Sequence, residues 1–199
     1  GKMAPRTCLT VVLAAGEGTR MKSDLPKVLH VAAGRTLVGH AIGAARAAGT
    51  DRLAVVVGPG REDVAAEVRK YAPEAQIFVQ EERRGTAHAV LQARGALEQP
   101  ADDLLILFAD TPLIEPETLS QMRGALAEGA SVAVLGFHPG DPAGYGRLLI
   151  EGERVIAIRE ERDASDAERS VGFCNGGLMA LAGQSALAIL DAIDDANAK

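Results

Sequence analysis

The stretch Leu9–His30, LTVVLAAGEGTRMKSDLPKVLH, sets a glycine-rich turn and the cations Arg20, Lys22 and Lys27 after an apolar run. Leu9–Ala14 is short and does not alternate with polar residues, the pattern of a strand covered on both faces in a parallel sheet. Gly16 and Gly18 allow a tight turn whose N–H groups can approach an anion. A dinucleotide-binding GxGxxG starting at Gly16 would need glycine at position 21, as would a P-loop completed by Lys22 and Ser23. Position 21 is Met21, so both motifs are excluded. The loop is expected to grip phosphate another way, with the side chains of Arg20 and Lys27 aiding the backbone.

Working outward, strand-like and helix-like segments alternate, as in βαβ units. Strands are expected near Leu9–Ala14, Leu53–Val57, Gln76–Val79, Leu104–Phe108 and Val132–Phe137, with helices near Leu37–Ala48, Glu62–Tyr71, Ala87–Leu97 and Glu117–Ala127. Gly49 and Gly129 serve as helix stops, and Pro73 and Pro100 follow helix ends. After His138 the pattern changes. Leu148–Ile150 and Val155–Ile158 around Glu151-Gly152-Glu153 suggest a β-hairpin insertion. Val171–Leu181 is expected to return as a strand and Ala186–Ile193 as an amphipathic helix. The fold class is α/β, one domain with a mostly parallel sheet flanked by helices.

The 199 residues are 47% apolar, enough to bury one substantial core. A net charge of −6 without a block of Lys or Arg argues against a nucleic-acid footprint. Four Phe, two Tyr and no Trp leave little for a base-stacking platform. No apolar run reaches the roughly 18–20 residues of a membrane span, and GKMAPRT lacks a signal-peptide core, so a cytoplasmic protein with neither membrane nor nucleic-acid partners is expected. Gly1 and Lys2 before Met3 read as a remnant of cloning. Cys8 and Cys174 lack CxxC spacing and are expected as reduced thiols.

In open α/β sheets ligands sit beyond the carboxyl ends of strands. Asp110, after the run LLILFA and before Thr111-Pro112, projects there and suits a Mg²⁺ ligand, because that ion in phosphate chemistry takes only one or two carboxylates. Gln80 ends a strand, and Gly85-Thr86 opens a helix. An amide with backbone groups can read a pyrimidine edge, while Thr86 as a cap and Gln80 in solvent is the plainer reading. Arg83 and Arg84 could touch phosphate, but beside Glu81 and Glu82 they read rather as a solvated charge cluster. Gly144-Tyr145-Gly146-Arg147 and Glu160 could meet a small sugar, or be a turn and an exposed acid. His30, His40, His88 and His138 have no metal spacing and are expected in core or capping roles.

Together, LAAGEGTRMKSDLPKVLH, VQEERRGTAHA, DPAGYGR, IREERDAS and NGG resemble the pyrophosphorylase domain of the bacterial N-acetylglucosamine-1-phosphate uridyltransferases, which also carry a glucosamine-1-phosphate acetyltransferase domain. The likeness runs from Leu9 to Lys199. It implies a Rossmann-like, glycosyltransferase-A-like nucleotidyltransferase fold. It also implies the Mg²⁺-dependent reaction of UTP with N-acetylglucosamine 1-phosphate to give UDP-N-acetylglucosamine and pyrophosphate, on the way to peptidoglycan and lipopolysaccharide precursors. By matching motifs, Leu13, Ala14, Ala15 and Gly16 hold the nucleotide, Gly18, Thr19 and Arg20 face the triphosphate, and Lys27 steadies the transferred phosphate. Gln80 and Gly85 recognise uracil, Thr86 lies beside the nucleotide, Asp110 binds Mg²⁺, and Gly146, Glu160 and Asn175 line the sugar pocket.

Two positions depart from the family pattern: Arg83 replaces a second glutamine, and Phe108 replaces the tyrosine of Tyr-Gly-Asp. The family continues past Lys199 to a second metal ligand and a left-handed β-helix domain, through which the whole protein is expected to form a homotrimer; residues 1–199 are thus expected to be a C-terminally incomplete nucleotidyltransferase domain. The alternatives are a related sugar-1-phosphate nucleotidyltransferase of other specificity, or a nucleotide-sugar-binding fragment without turnover.

Overall fold

The computed structural model describes residues 5–16, 25–110, 114–135, 148–150 and 178–197. A seven-stranded sheet forms the middle layer. Its strands are β1 (Cys8–Ala14), β4 (Arg52–Val57), β5 (Gln76–Val79), β6 (Asp103–Phe108), β7 (Val132–Leu135), β8 (Leu148–Ile150) and β9 (Leu178–Ala182), in the order β5-β4-β1-β6-β9-β7-β8. The pairs β5–β4, β4–β1 and β1–β6 are parallel. β9 enters antiparallel between β6 and β7, and β8 pairs antiparallel with β7, so the sheet is mixed with most strands running one way.

Every residue of β1 is buried, and the two sides of its pleat feed two cores. Cys8, Val12 and Ala14 face α1 (Leu37–Ala47), α2 (Glu62–Tyr71) and α5 (Pro116–Ala127), where Val38, Ile42, Val64, Val68, Leu119 and Met122 are buried. Leu9, Val11 and Leu13 face the other layer, formed by α3 (Thr86–Leu91), α4 (Arg94–Leu97) and the final helix α6 (Gly183–Asn197), through Ala87, Val90, Ala96, Ile189, Leu190 and Ile193. A strand covered on both faces needs apolar residues at consecutive positions, hence the unbroken run LTVVLA. Its single polar member, Thr10, is fully buried and satisfied by the Thr50 hydroxyl at 2.8 Å.

Local chemistry sets the element ends. Thr36 caps α1, its hydroxyl accepting from the Gly39 N–H at 3.2 Å. Gly49 and Gly129 follow α1 and α5 with φ of +89° and +107°. The expected helix Ala87–Leu97 is two pieces: the N–H groups of Gln92 and Ala93 bond three residues back, to Ala89 and Val90, which tightens the chain into a bend. A small hairpin of β2 (Val31–Ala32) and β3 (Arg35–Thr36) turns through Ala33 and Gly34, both at positive φ. The expected strands 132–137 and 171–181 are described as β7 and β9; their remaining residues, and the Val155–Ile158 half of the expected hairpin, lie outside the described residues. No helix among the described residues is long and apolar enough to cross a membrane.

At the amino end of the sheet the buried carboxylate of Asp103 is clamped by two arginines. Arg6 Nη2 donates to Oδ1 at 2.6 Å, and Arg123 Nε donates to Oδ2 at 2.8 Å. Arg123 also donates to the carbonyls of Ala48 and Arg6, tying α5, the α1 terminus and the chain before β1 together.

Candidate active site

The strand order reverses direction about β1: the chain runs outward through β4 and β5, then returns to β6 on the other side. Ligands bind at such a switch point, beyond the carboxyl ends of the strands. There the structure has a cleft lined by Leu13, Ala15, Gly16, Val28, Gln80, Arg83, Gly85, Thr86, Ala89, Phe108 and Asp110. Its floor follows from register, because Leu13 of β1 pairs with Phe108 of β6. The Ala109 N–H donates to the Leu13 carbonyl at 2.9 Å, which holds the β6 end close and sets Asp110 at the mouth, half-buried.

Gln80 stands on the opposite wall. Its backbone N–H continues the sheet to the Val57 carbonyl at 2.8 Å, and the residue is only 8% exposed. No hydrogen bond to its side-chain amide occurs among the described residues, so a donor and an acceptor face the cleft without protein partners, a costly arrangement unless a ligand or water meets them. Gly85 starts α3 at φ +99° and ψ 171°, a conformation essentially reserved for glycine. That residue is therefore the one that can turn the chain from the Gln80 loop into α3 while keeping Thr86 on the cleft wall.

Of the residues selected from the sequence, Leu13, Ala15, Gly16, Gln80, Gly85, Thr86 and Asp110 line this cleft together. Ala14 lines an adjoining cleft with Pro26, Gly58, Arg61 and Glu81. Lys27 begins a short 3-10 turn, Lys27–Leu29; it is exposed and lines neither cleft, although its neighbours Pro26 and Val28 do. Gly18, Thr19, Arg20, Gly146, Glu160 and Asn175 lie outside the described residues. Arg83, read from sequence as part of a solvated charge cluster, is exposed with Glu81, Glu82 and Arg84, and it also lines both clefts. The sequence reading also passed over Arg61 and the Gly58-Pro59 turn; their position just after an apolar strand was the available signal. Phe108 contributes an apolar wall.

Among the described residues no three His, Cys, Asp or Glu side chains converge as a preformed metal cage. Asp110, the one acidic side chain among the described residues that line the first cleft, fits a different arrangement, in which a hard divalent ion is held by one or two carboxylates and completed by phosphate oxygens and water. Of the described histidines, His40 meets the Ala32 carbonyl at 2.5 Å and His88 meets the Gln92 amide at 3.2 Å, both away from the cleft lining.

Known proteins resemble this chain at two levels. The "Bifunctional protein GlmU" of Xanthobacter autotrophicus is 65% identical over 197 residues, 99% of this chain and 44% of that protein. Its counterpart in Azorhizobium caulinodans is 62% identical over the same share. The chain thus spans less than half the length of these relatives. In fold it is similar to the inositol-1-phosphate CTP transferase of T. maritima, at TM-score 0.66 and 19% identity, covering 93% of this chain and 74% of that one. It is also similar to Rv0371c of Mycobacterium tuberculosis in complex with manganese, at TM-score 0.59 and 18% identity, covering 92% and 75%. The model of the MobA-like NTP transferase domain matches residues 10–171, from β1 through both clefts and beyond. With a mixed sheet and a cleft at its switch point, the chain belongs to the MobA-like NTP transferase domain family.

Proposed function

We propose that this chain is the uridyltransferase portion of a bifunctional enzyme, transferring UMP from UTP to N-acetylglucosamine 1-phosphate in the cytoplasm to give UDP-N-acetylglucosamine and pyrophosphate. The 65% identity to a GlmU protein across nearly the whole chain is the observation that carries this reading. The cleft chemistry supports it. Uracil presents an N3–H donor beside carbonyl acceptors, and the buried Gln80 amide offers one acceptor and one donor, an edge-to-edge match. Leu13, Val28, Ala89 and Phe108 supply apolar walls for the nucleoside.

The acceptor brings its own nucleophile: a phosphate oxygen of the sugar phosphate attacks the α-phosphorus, the bond to the β-phosphate oxygen breaks, and the electron pair leaves with pyrophosphate. No protein base or covalent intermediate is needed, so the protein's task is alignment and charge compensation. Asp110 is the residue that would hold Mg²⁺, which when bound screens phosphate charge and orients the α-phosphate. Arg20 and Lys27 are assigned to the same negative charge from the glycine-loop side, and Thr86 to a place beside the nucleotide. Gly146, Glu160 and Asn175 are assigned to the sugar through the motif match, and the homotrimer to the part of the relatives this chain does not span.

Calorimetric titration with UTP and CTP tests the base assignment. The parent should bind UTP more tightly, because cytosine puts an acceptor at N3 and an amino donor at C4 and mispairs with a fixed amide. Gln80→Ala should erode that preference by about 1–3 kcal/mol, the cost typical of an unsatisfied buried polar group. Equal affinities in the parent, or an unchanged preference in Gln80→Ala, would remove Gln80 from the base pocket.

A further inference from the structure

The wall of the first cleft that carries Thr86 and Ala89 belongs to α3, a helix of only six residues that ends where the chain bends at Gln92-Ala93. A helix that short has almost no stability of its own, so its neighbours must fix it in place. Apolar packing does part of this, because Ala87 and Val90 share a core with Ile189, Leu190 and Ile193 of α6. Apolar burial is non-directional, however, and polar contacts are what add register and rotation.

α6 comes to α3 from the amino end of the sheet, where the Gly183 N–H donates to the Asp102 carbonyl at 2.8 Å just before β6 begins. Along its length Asp191 meets Arg94, the first residue of α4, at 2.6 Å. One turn further, Asp194 Oδ1 stands 3.7 Å from His88 Nδ1, within ion-pair range though longer than a hydrogen bond. These two side chains are only 18% and 25% exposed, so solvent screens their attraction incompletely. The other ring nitrogen is held from one turn along the chain: the Gln92 amide donates to His88 Nε2 at 3.2 Å and to the His88 carbonyl at 3.1 Å. With that amide as donor, Nε2 accepts, and the neutral ring carries its proton on Nδ1, facing Asp194.

We propose that His88 is a positioning residue for nucleotide binding: held between Gln92 and Asp194, it fixes the rotation of α3 on α6 and so keeps Thr86 and Ala89 at the cleft wall. This role rests on the nucleotidyl-transfer reading and deepens it. His88 lines neither cleft and acts through the helix. Residues 88 and 92 share one helix face while 86 and 89 share another, so a turn of α3 that parts His88 from Asp194 also moves Thr86 and Ala89 relative to Gln80. The Arg94–Asp191 pair is exposed at both partners and lies past the bend, so it fastens α6 to α4 without setting the rotation of α3.

The test titrates UTP and CTP into the parent, His88→Ala, His88→Asn, Asp194→Ala, the His88→Ala/Asp194→Ala double variant and Arg94→Gln, with thermal unfolding to check that each folds. His88→Ala and Asp194→Ala should each weaken UTP binding about three- to tenfold, and the double variant little further, because both changes break one contact. His88→Asn sets an amide nitrogen where Nδ1 stood and should recover most of the affinity. Arg94→Gln should stay within about twofold of the parent, as exposed pairs do. Amide exchange followed by NMR gives a readout without nucleotide: the Ala89 N–H, which donates to the Gly85 carbonyl at 3.1 Å, should exchange faster in His88→Ala while the β1 amides do not change. A merely structural role would lower the melting temperature and the folded fraction but leave the dissociation constant of the folded protein and the asparagine variant's advantage unmoved. Parent-like UTP affinity in folded His88→Ala or Asp194→Ala overturns the role, as does an equal loss in Arg94→Gln. If the parent prefers CTP and His88→Ala weakens that binding instead, the positioning role stands and the uridine reading falls.

Discussion

Asp110 is the one carboxylate among the described residues that line the first cleft, which makes it the residue whose loss is easiest to interpret. Asp110→Asn keeps shape and polarity but removes the charge a hard cation needs. Turnover in an active longer polypeptide should fall about 10²-fold, as for loss of a preorganised electrostatic contact. Chemical denaturation should show a stability change within about 0.5 kcal/mol. A response to Mg²⁺ equal to that of the parent would contradict the assignment. Cys8 behaves oppositely: burial pushes its thiol up from the ordinary value, well packed at the start of β1. The thiolate is the reactive form, so native Cys8 should resist iodoacetamide at pH 8 and label readily in denaturant, as read by peptide mass spectrometry. Rapid native labelling would contradict its burial.

Among the elements, the loop from Gln80 into α3 carries the most functional geometry. Gly85→Ala forces a side chain into φ +99°, ψ 171°, and should cost about 1–3 kcal/mol of stability by urea unfolding. UTP affinity should fall with it, since the same turn sets Thr86 on the cleft wall; unchanged stability would show that the turn relaxes freely. This loop also marks what the sequence could convey. β1, β4 and β6 were legible because strands buried on both faces leave unbroken apolar runs, and the edge strand β5 because its short apolar run lies between turn residues; α1 was legible from its Thr36 cap and Gly49 stop, α5 from Gly129, and α2 from Pro73 just past its end. The insertion of β9 between β6 and β7 was not, since strand order depends on long-range pairing and leaves no local mark. Asp110 and Gln80 were legible as polar residues at strand ends. EERR read as a solvated run and is exposed in the structure; that Arg83 also lines both clefts follows only from the fold.

At the scale of the molecule, the two ends of the sheet divide structural from chemical tasks. The Asp103 clamp sits at the amino end of β6, while Asp110 follows its carboxyl end. Asp103→Asn leaves Arg6 and Arg123 without their charge partner and should cost about 3 kcal/mol, the lower part of the range for breaking a buried pair because Arg6 is partly exposed. The folded fraction should still bind UTP as the parent does; weakened binding at full folding would show that the clamp reaches the cleft. This cleft is proposed to transfer UMP to a sugar phosphate. Pyrophosphate release measures it most directly, with UTP or CTP paired in turn with N-acetylglucosamine 1-phosphate and inositol 1-phosphate. The assay uses this chain and a polypeptide extended to the length of the GlmU relatives. UTP with N-acetylglucosamine 1-phosphate should be the preferred pair by at least about tenfold, the discrimination expected of a site whose buried polar groups mispair with the wrong base. Preference for CTP, or no Mg²⁺-dependent release from the extended polypeptide with any pair, would contradict the claim.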